Sequence, residues 1–208
     1  HEKMAVYLRN EQFIVPGLIM MAVVQNAFAN SSSSLMLQKI QGVIVDLLMP
    51  PLSGGEVTFS LTMGGVTRGV MVGMVVFVSL IFIVTPQLHH PLLALFFMVA
   101  ASVMLALIGI LTGIWSQSFD QLAAITNYIV TPLSFLSGTF YSTQYLPVFW
   151  QHVSHFNPFF YMIDGFRYAM TGYSDGDVNV GIVVLIVMDG VLWLIVQKLL
   201  NSGWRLKT

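Results

Sequence analysis

The sequence predicts an all-α membrane protein, a polytopic helical bundle with about five transmembrane helices. Three observations predict it. Hydrophobic residues make up 56% of the chain and charged residues 8%, whereas a soluble domain carries roughly 25% charged residues to coat its surface. The mean hydropathy is +0.81, so lipid must be the solvent for much of that surface. The apolar residues fall in long runs near the roughly 20 residues that cross hydrocarbon. These runs do not alternate in polarity, which favours helices over barrel strands. A chain of 208 residues holds one such bundle and no separate soluble catalytic domain. There is no cysteine, which excludes disulfides and thiolate metal sites. A net charge of −1 gives no electrostatic footprint for nucleic acid.

The elements follow in order. The opening HEKMAVYLRNEQ lacks the charged, apolar and cleavage-site regions of a signal peptide. The first predicted span, 13–35, begins FIVPGLIMMAVVQNAFA and is extended by Asn30 to Ser34. A long connection, 36–55, leads to the second span, 56–84. The apolar body of that span, Leu61 to Val84, has Arg68 as its only charge. The tight turn TPQLHHP leads to the third span, 92–115, uncharged throughout. The turn SQSFDQ leads to the fourth, 122–142. The aromatic-rich segment 143–177 is interrupted by Pro147, Pro158 and Gly165, so it reads as short interfacial helices. The fifth span, 178–198, is interrupted by Asp189 and precedes the tail 199–208. Lys39, Arg68, Lys198, Arg205 and Lys207 face one side of this arrangement, and Lys3, Arg9 and Arg167 the other. The positive-inside rule then places the C-terminus and the 36–55 connection in the cytoplasm, and 143–177 outside.

No glycine-rich loop is followed by Lys-Ser or Lys-Thr, so the chain is not expected to cradle a nucleotide phosphate itself. His89-His90 and His152/His155 have no carboxylate at useful spacing and read as interfacial residues, not metal ligands. The inner connection is the sharpest local feature. Ile40, Val43, Ile44, Leu47 and Leu48 recur at helical spacing, and Pro50-Pro51 stops that helix. Ser53 and Glu56 then fit a capping box that starts the next one. This short helix reads either as an interfacial seat for the bundle or as a docking knob for a cytoplasmic partner.

Polar residues at membrane depth are costly and often functional. Asp189 is a candidate lining residue, as are Gln25, Asn26 and Asn127, whose plainer role is interhelical hydrogen bonding. Arg68 is expected about one to three turns above the cytoplasmic interface, snorkelling to it. Gly64, Gly65, Gly69 and Gly73 share a helix face and suit close helix packing. In the outer segment Asp164 and Arg167 are spaced to pair. Around them Phe156, Phe159, Phe160 and Phe166 form an apolar plug, either a cover on the bundle or an external gate.

Two stretches carry a family resemblance. IVDLLMPPLSGGEVTFSLTMGGVTRGVMVG, from Ile44 to Gly73, resembles the signature of ABC-2-type transporter permeases. So does TPLSFLSGTFYSTQYLPVFWQHVSHFNPFFYMIDGFRY, from Thr131 to Tyr168, with Pro132, Ser137-Gly138, Phe140-Tyr141, Leu146-Pro147, Asn157-Pro158 and Gly165-Phe166-Arg167 in the family's order. FIVPGLIMM, from Phe13 to Met21, resembles the opening of that family's second helix. The likeness is closest to the bacterial branch that exports drugs, lipids or glycoconjugates across the inner membrane.

The resemblance implies a permease subunit that pairs with a second permease copy, identical or different. It also implies separate ATPase subunits that use ATP and Mg while this chain binds no cofactor. It implies that the inner connection is the coupling helix docking on the ATPase, with Gln41, Asp46, Leu47, Leu48, Pro50, Pro51 and Leu52 at its core. The external segment with Phe156, Phe159, Phe160, Asp164 and Arg167 would then be the outer gate. Family members have six helices, and only twelve residues precede Phe13 here. The expectation is therefore a six-helix fold lacking its first helix, either by truncation, which the His1 start favours, or as an unusual five-helix member. Two other readings stand beside it: a membrane anchoring subunit without transport, and a proton-driven transporter using Asp189. The absence of inverted-repeat symmetry weighs against the latter.

Overall fold

The computed structural model describes residues 2–44, 53–83, 88–140, 142–143 and 147–202. These form an all-α bundle with no strand among the described residues. Helix α1 runs Glu2–Ile40, α2 Gly54–Ile81 and α3 Pro91–Trp115. A composite helix follows: α4 (Phe119–Ile125), a π turn (Thr126–Val130) and α5 (Thr131–Leu136). Two short helices, α6 (Val148–Phe156) and α7 (Pro158–Thr171), precede the last long one, α8 (Val178–Ser202). Among the described residues Phe13–Ile40, Gly54–Ile81, Pro91–Trp115 and Val178–Ser202 are each long and apolar enough to span a membrane. The composite helix adds a fifth element about 27 Å long, at 1.5 Å per residue.

Each boundary has a local cause. Gly42 at φ +72 takes the left-handed conformation that closes α1, as glycine does after a helix end. Ser53 starts α2 with a complete capping box: Glu56 Oε2 accepts from the Ser53 N–H at 2.7 Å, and Ser53 Oγ accepts from the Glu56 N–H at 3.4 Å. Pro91 opens α3 at its first turn, where a missing N–H costs nothing. Pro132 sits at the start of α5. It has no N–H to return to the preceding turn, and its ring would press on the carbonyl four residues earlier. The chain widens there instead, and the Thr131 N–H reaches back five residues to the Thr126 carbonyl.

The composite helix ends at Leu136, six residues before the sequence-based boundary. Gly138 has φ +78, which turns the chain out of the helix. Hydroxyls then hold the last helical carbonyls: Ser134 Oγ donates to Val130 O at 2.8 Å and Thr139 Oγ1 to Ser134 O at 2.6 Å. Alternation of polarity and length cannot reveal such an exit, because Phe140 and Tyr141 continue the apolar pattern.

Helix α3 is the central post, packed by α1, α2, α7 and α8. The main core joins Val23, Ala27 and Phe28 of α1 to Ala101, Met104 and Leu105 of α3. Helix α2 approaches both through one glycine face. A Cβ at Gly69 would meet Ser102 Oγ at 2.9 Å and Ala27 Cβ at 3.0 Å, and one at Gly65 would meet Ala106 Cβ at 2.7 Å. Small residues are what permits this approach.

Candidate functional site

The helix order sorts the connections to two ends. The end of α1, the start of α2, the end of α3 and the end of α8 share one end of the bundle. There the Gly54 N–H donates to Asn201 Oδ1 at 2.9 Å. Residues 138–140 and 142–143, α6, α7 and the start of α8 occupy the other.

At the first end the α1–α2 connection has two fixed stems. Lys39 extends its ammonium to the last carbonyls of α3, donating to Gly113 O at 3.2 Å, Ile114 O at 2.9 Å and Ser116 O at 2.7 Å. A cation there neutralises the negative end of the helix dipole and satisfies carbonyls that have no helical donor. The other stem is the Ser53–Glu56 box. Between them Gln41 is exposed in the turn after α1. Ile40 and Val43 are also exposed, while Ile44 is buried against Leu35, Val57 and Ile114. Asp46, Leu47, Leu48, Pro50, Pro51 and Leu52 lie outside the described residues.

At the opposite end Arg167 organises the hairpin. Its side chain is 1% exposed. Nη2 donates to the Gly138 carbonyl, Nη1 lies 3.8 Å from Asp164 Oδ1, and the guanidinium sits 3.8 Å from the centre of the Phe13 ring. Asp164 accepts from the Asp175 N–H at 2.7 Å and the Gly176 N–H at 2.9 Å. Burial pushes its carboxyl above the usual carboxylate range, against the pull of those donors and of Arg167. Asp175 in turn accepts from Ser142 Oγ at 2.7 Å, Thr143 N–H at 2.9 Å and Tyr173 OH at 2.9 Å. One polar chain thus ties α1, the exit of α5, α7 and the α7–α8 turn.

Asn157-Pro158 has two functions. Asn157 Oδ1 caps α7 by accepting from the Phe159 N–H at 3.1 Å, and Pro158 supplies the first-turn proline. The Asn157 amide also donates to Leu133 O at 3.1 Å and Ser137 Oγ at 2.9 Å, locking the hairpin to the end of α5. Gly165 faces Phe97 of α3 so closely that a Cβ would overlap the ring. Phe159, Phe160 and Phe166 are buried. Phe156 is 89% exposed, so it stands apart from the expected apolar plug: it ends α6 one residue before the Asn157 cap, on the outward side of that corner.

The membrane-depth polar residues do not share one surface. Gln25 and Asn26 are partly buried on α1, where the Asn26 amide donates to the Ala22 carbonyl of its own helix at 2.9 Å. Asn127 is exposed on the π turn. Asp189 lines a separate groove of about 490 Å³ between α3 and α8, with Leu95, Phe96, Val99 and Ile186. Arg68 lies deeper than expected, about 21 Å from the start of α2 at 1.5 Å per residue and next to Gly69, which packs on Ser102 midway along α3. His89 closes the C-terminal end of α7, its Nδ1 donating to the Met170 carbonyl at 2.7 Å. Sequence reasoning missed Lys39 and Asp175 as organising residues. The Asp-Gly turn at 175–176 was the available signal for the second; the first had none.

The family model of the ABC-2 type transporter matches residues 4–171. The inner membrane transport permease YadH of Escherichia coli (strain K12) is 39% identical over 197 residues, which cover 95% of this chain and 77% of the relative. The protein of the same name from Shigella flexneri matches equally. Nodulation protein J of Rhizobium leguminosarum bv. viciae is 30% identical over 96 residues, 46% of this chain and 37% of the relative.

Proposed function

The chain belongs to the ABC-2 type transporter family as a multi-pass inner-membrane transport permease, and from that premise we propose that it is the membrane subunit of an ATP-driven exporter. A separate ATPase hydrolyses ATP with Mg and docks on the α1–α2 connection. A second permease copy completes the pathway, and the cargo is a drug, lipid or glycoconjugate. The C-terminus and the α1–α2 connection face the cytoplasm, and the α6–α7 hairpin faces outward.

One observation carries this reading. The first stem of the α1–α2 connection is fastened to α3 by Lys39, and the second opens α2 directly through the Ser53–Glu56 box. A push on the connection therefore reaches three spanning helices. The Arg167–Asp164–Asp175 network closes the far end, where cargo would leave. The test is co-purification with an ATPase, followed by ATP-dependent uptake into inverted vesicles. Replacing Pro50 and Pro51 with glycine is expected to lower transport-coupled ATP hydrolysis while the complex still assembles. Unchanged coupling would count against docking there. A complex that hydrolyses ATP and moves no candidate cargo would instead favour an anchoring subunit.

A further inference from the structure

We propose that Arg68 and Asn30 form the headgroup site for an anionic amphiphile on the joint face of α1 and α2; this rests on the exporter reading above and gives its cargo a charge. Arg68 is exposed and lies near the middle of α2, with about 20 Å of helix on either side. An arginine side chain is too short to reach an interface from that depth. A charge there faces an aqueous path, a ligand or a partner, not lipid chains. Within the chain Nη1 donates to Asn30 Oδ1 at 3.3 Å. Asn30 is neutral, so it orients the guanidinium and leaves its charge uncompensated. No carboxylate lies within ion-pair distance of Arg68 among the described residues.

Three further features define the occupant. Gly64 lets Asn30 lie alongside: a Cβ there would already touch the Asn30 amide at 3.6 Å. Along the same face of α2, Met71 and Val75 are 62% and 64% exposed, one and two turns from Arg68. A charged head position thus continues into an apolar stripe, which suits a lipid-like anion and not a free inorganic one. Asp189 lies at nearly the same depth, about 18 Å from Asn201, but does not serve Arg68. Phe59, whose ring packs on Trp193 of α8, is half a turn round α2 from Arg68. A two-fold contact between copies brings the same patch of each together, so it would not carry Asp189 to Arg68.

The test uses the intact permease in detergent micelles. The chain has no cysteine, so an environment-sensitive dye on Met74→Cys reports the site alone. Dodecyl phosphate, dodecyltrimethylammonium and inorganic phosphate are titrated in turn. Dodecyl phosphate is expected to saturate at a concentration about tenfold or more lower than in R68Q, the loss typical of a charged hydrogen-bond partner. R68K and N30A should fall between. Equal binding in R68Q, saturation by the cation, or equal saturation by inorganic phosphate alone would overturn the proposal. So would an R68D/D189R variant that regains stability lost in R68D, since it would identify a second copy as the partner. With the ATPase present, selective binding without stimulation would sink the exporter reading and leave the site. Stimulation without selectivity would do the reverse.

Discussion

Gly165→Ala offers the most direct measure of how the outer hairpin is seated. The added methyl overlaps the ring of Phe97, which is fully buried and held edge-on by Phe96 at 5.3 Å between centroids. The ring has no open space to enter, so the upper end of ordinary overpacking applies, about 3 kcal/mol. Alanine recovers about 1 kcal/mol over glycine within a helix. The net loss is about 2 kcal/mol. Phe97→Ala alone leaves a cavity and costs about 3–5 kcal/mol. In the double variant the new methyl enters that cavity, so its strain vanishes and its helical gain remains. The double variant should be about 1 kcal/mol more stable than Phe97→Ala, a coupling of about 3 kcal/mol. Unfolding in mixed micelles of dodecyl maltoside and sodium dodecyl sulfate, followed by circular dichroism, measures all four corners of the cycle. Additive losses, or a Gly165→Ala variant as stable as the parent, would refute the claim that α7 rests on α3 through this contact.

Other perturbations address the remaining joints. Asn157→Ala removes the cap of α7 and two donors to the end of α5, and should cost about 2 kcal/mol in the same unfolding assay. Lys39→Met strips the final α3 carbonyls of their ammonium, at about 1–2 kcal/mol given that water can reach them; faster hydrogen exchange at the stems of the connection is the readout, and Lys39→Arg should restore part of the protection. Pro132→Ala returns an N–H to α5 and lets the π turn tighten to an α turn. Removing the extra residue turns Asn127 and Tyr128 by about 100° relative to α5. The accessibility of a cysteine at Tyr128, now 81% exposed, should then fall.

What could be read from sequence follows how local each cause is. The long apolar runs need only composition and length, so the spanning elements were visible. The Ser53–Glu56 box closes within four residues, so its pattern sufficed. The Asp164–Arg167 pair lies on adjacent turns of one helix and was legible for the same reason. Lys39 was legible only as a charge for orientation, since its acceptors lie 74 to 77 residues away. The depth of Arg68 was hidden because it depends on how α2 registers against α3, where Gly69 meets Ser102, a contact between residues far apart in sequence. The exit at Gly138 was hidden because a left-handed residue can sit inside an apolar run without changing its hydropathy. Phe156 looked like a plug residue because spacing alone does not tell which side of the Asn157 corner a ring takes.

Helix α1 is pinned at two points about 39 Å apart: Lys39 on the foot of α3, and Phe13 under the guanidinium of Arg167. Between those pins it is one unbroken helix, so a push at one end would be carried along its axis to the other. Its one missing backbone donor within the span is at Pro16, three residues from the outer pin. Beside it, Gly17 lies against the backbone of Thr139 with no room for a side chain. The helix is therefore stiff along most of its length and jointed directly beneath the hairpin. In the proposed transport cycle, axial movement delivered at the Lys39 foot would become tilt at that joint, beside Thr139 and the turn out of α5.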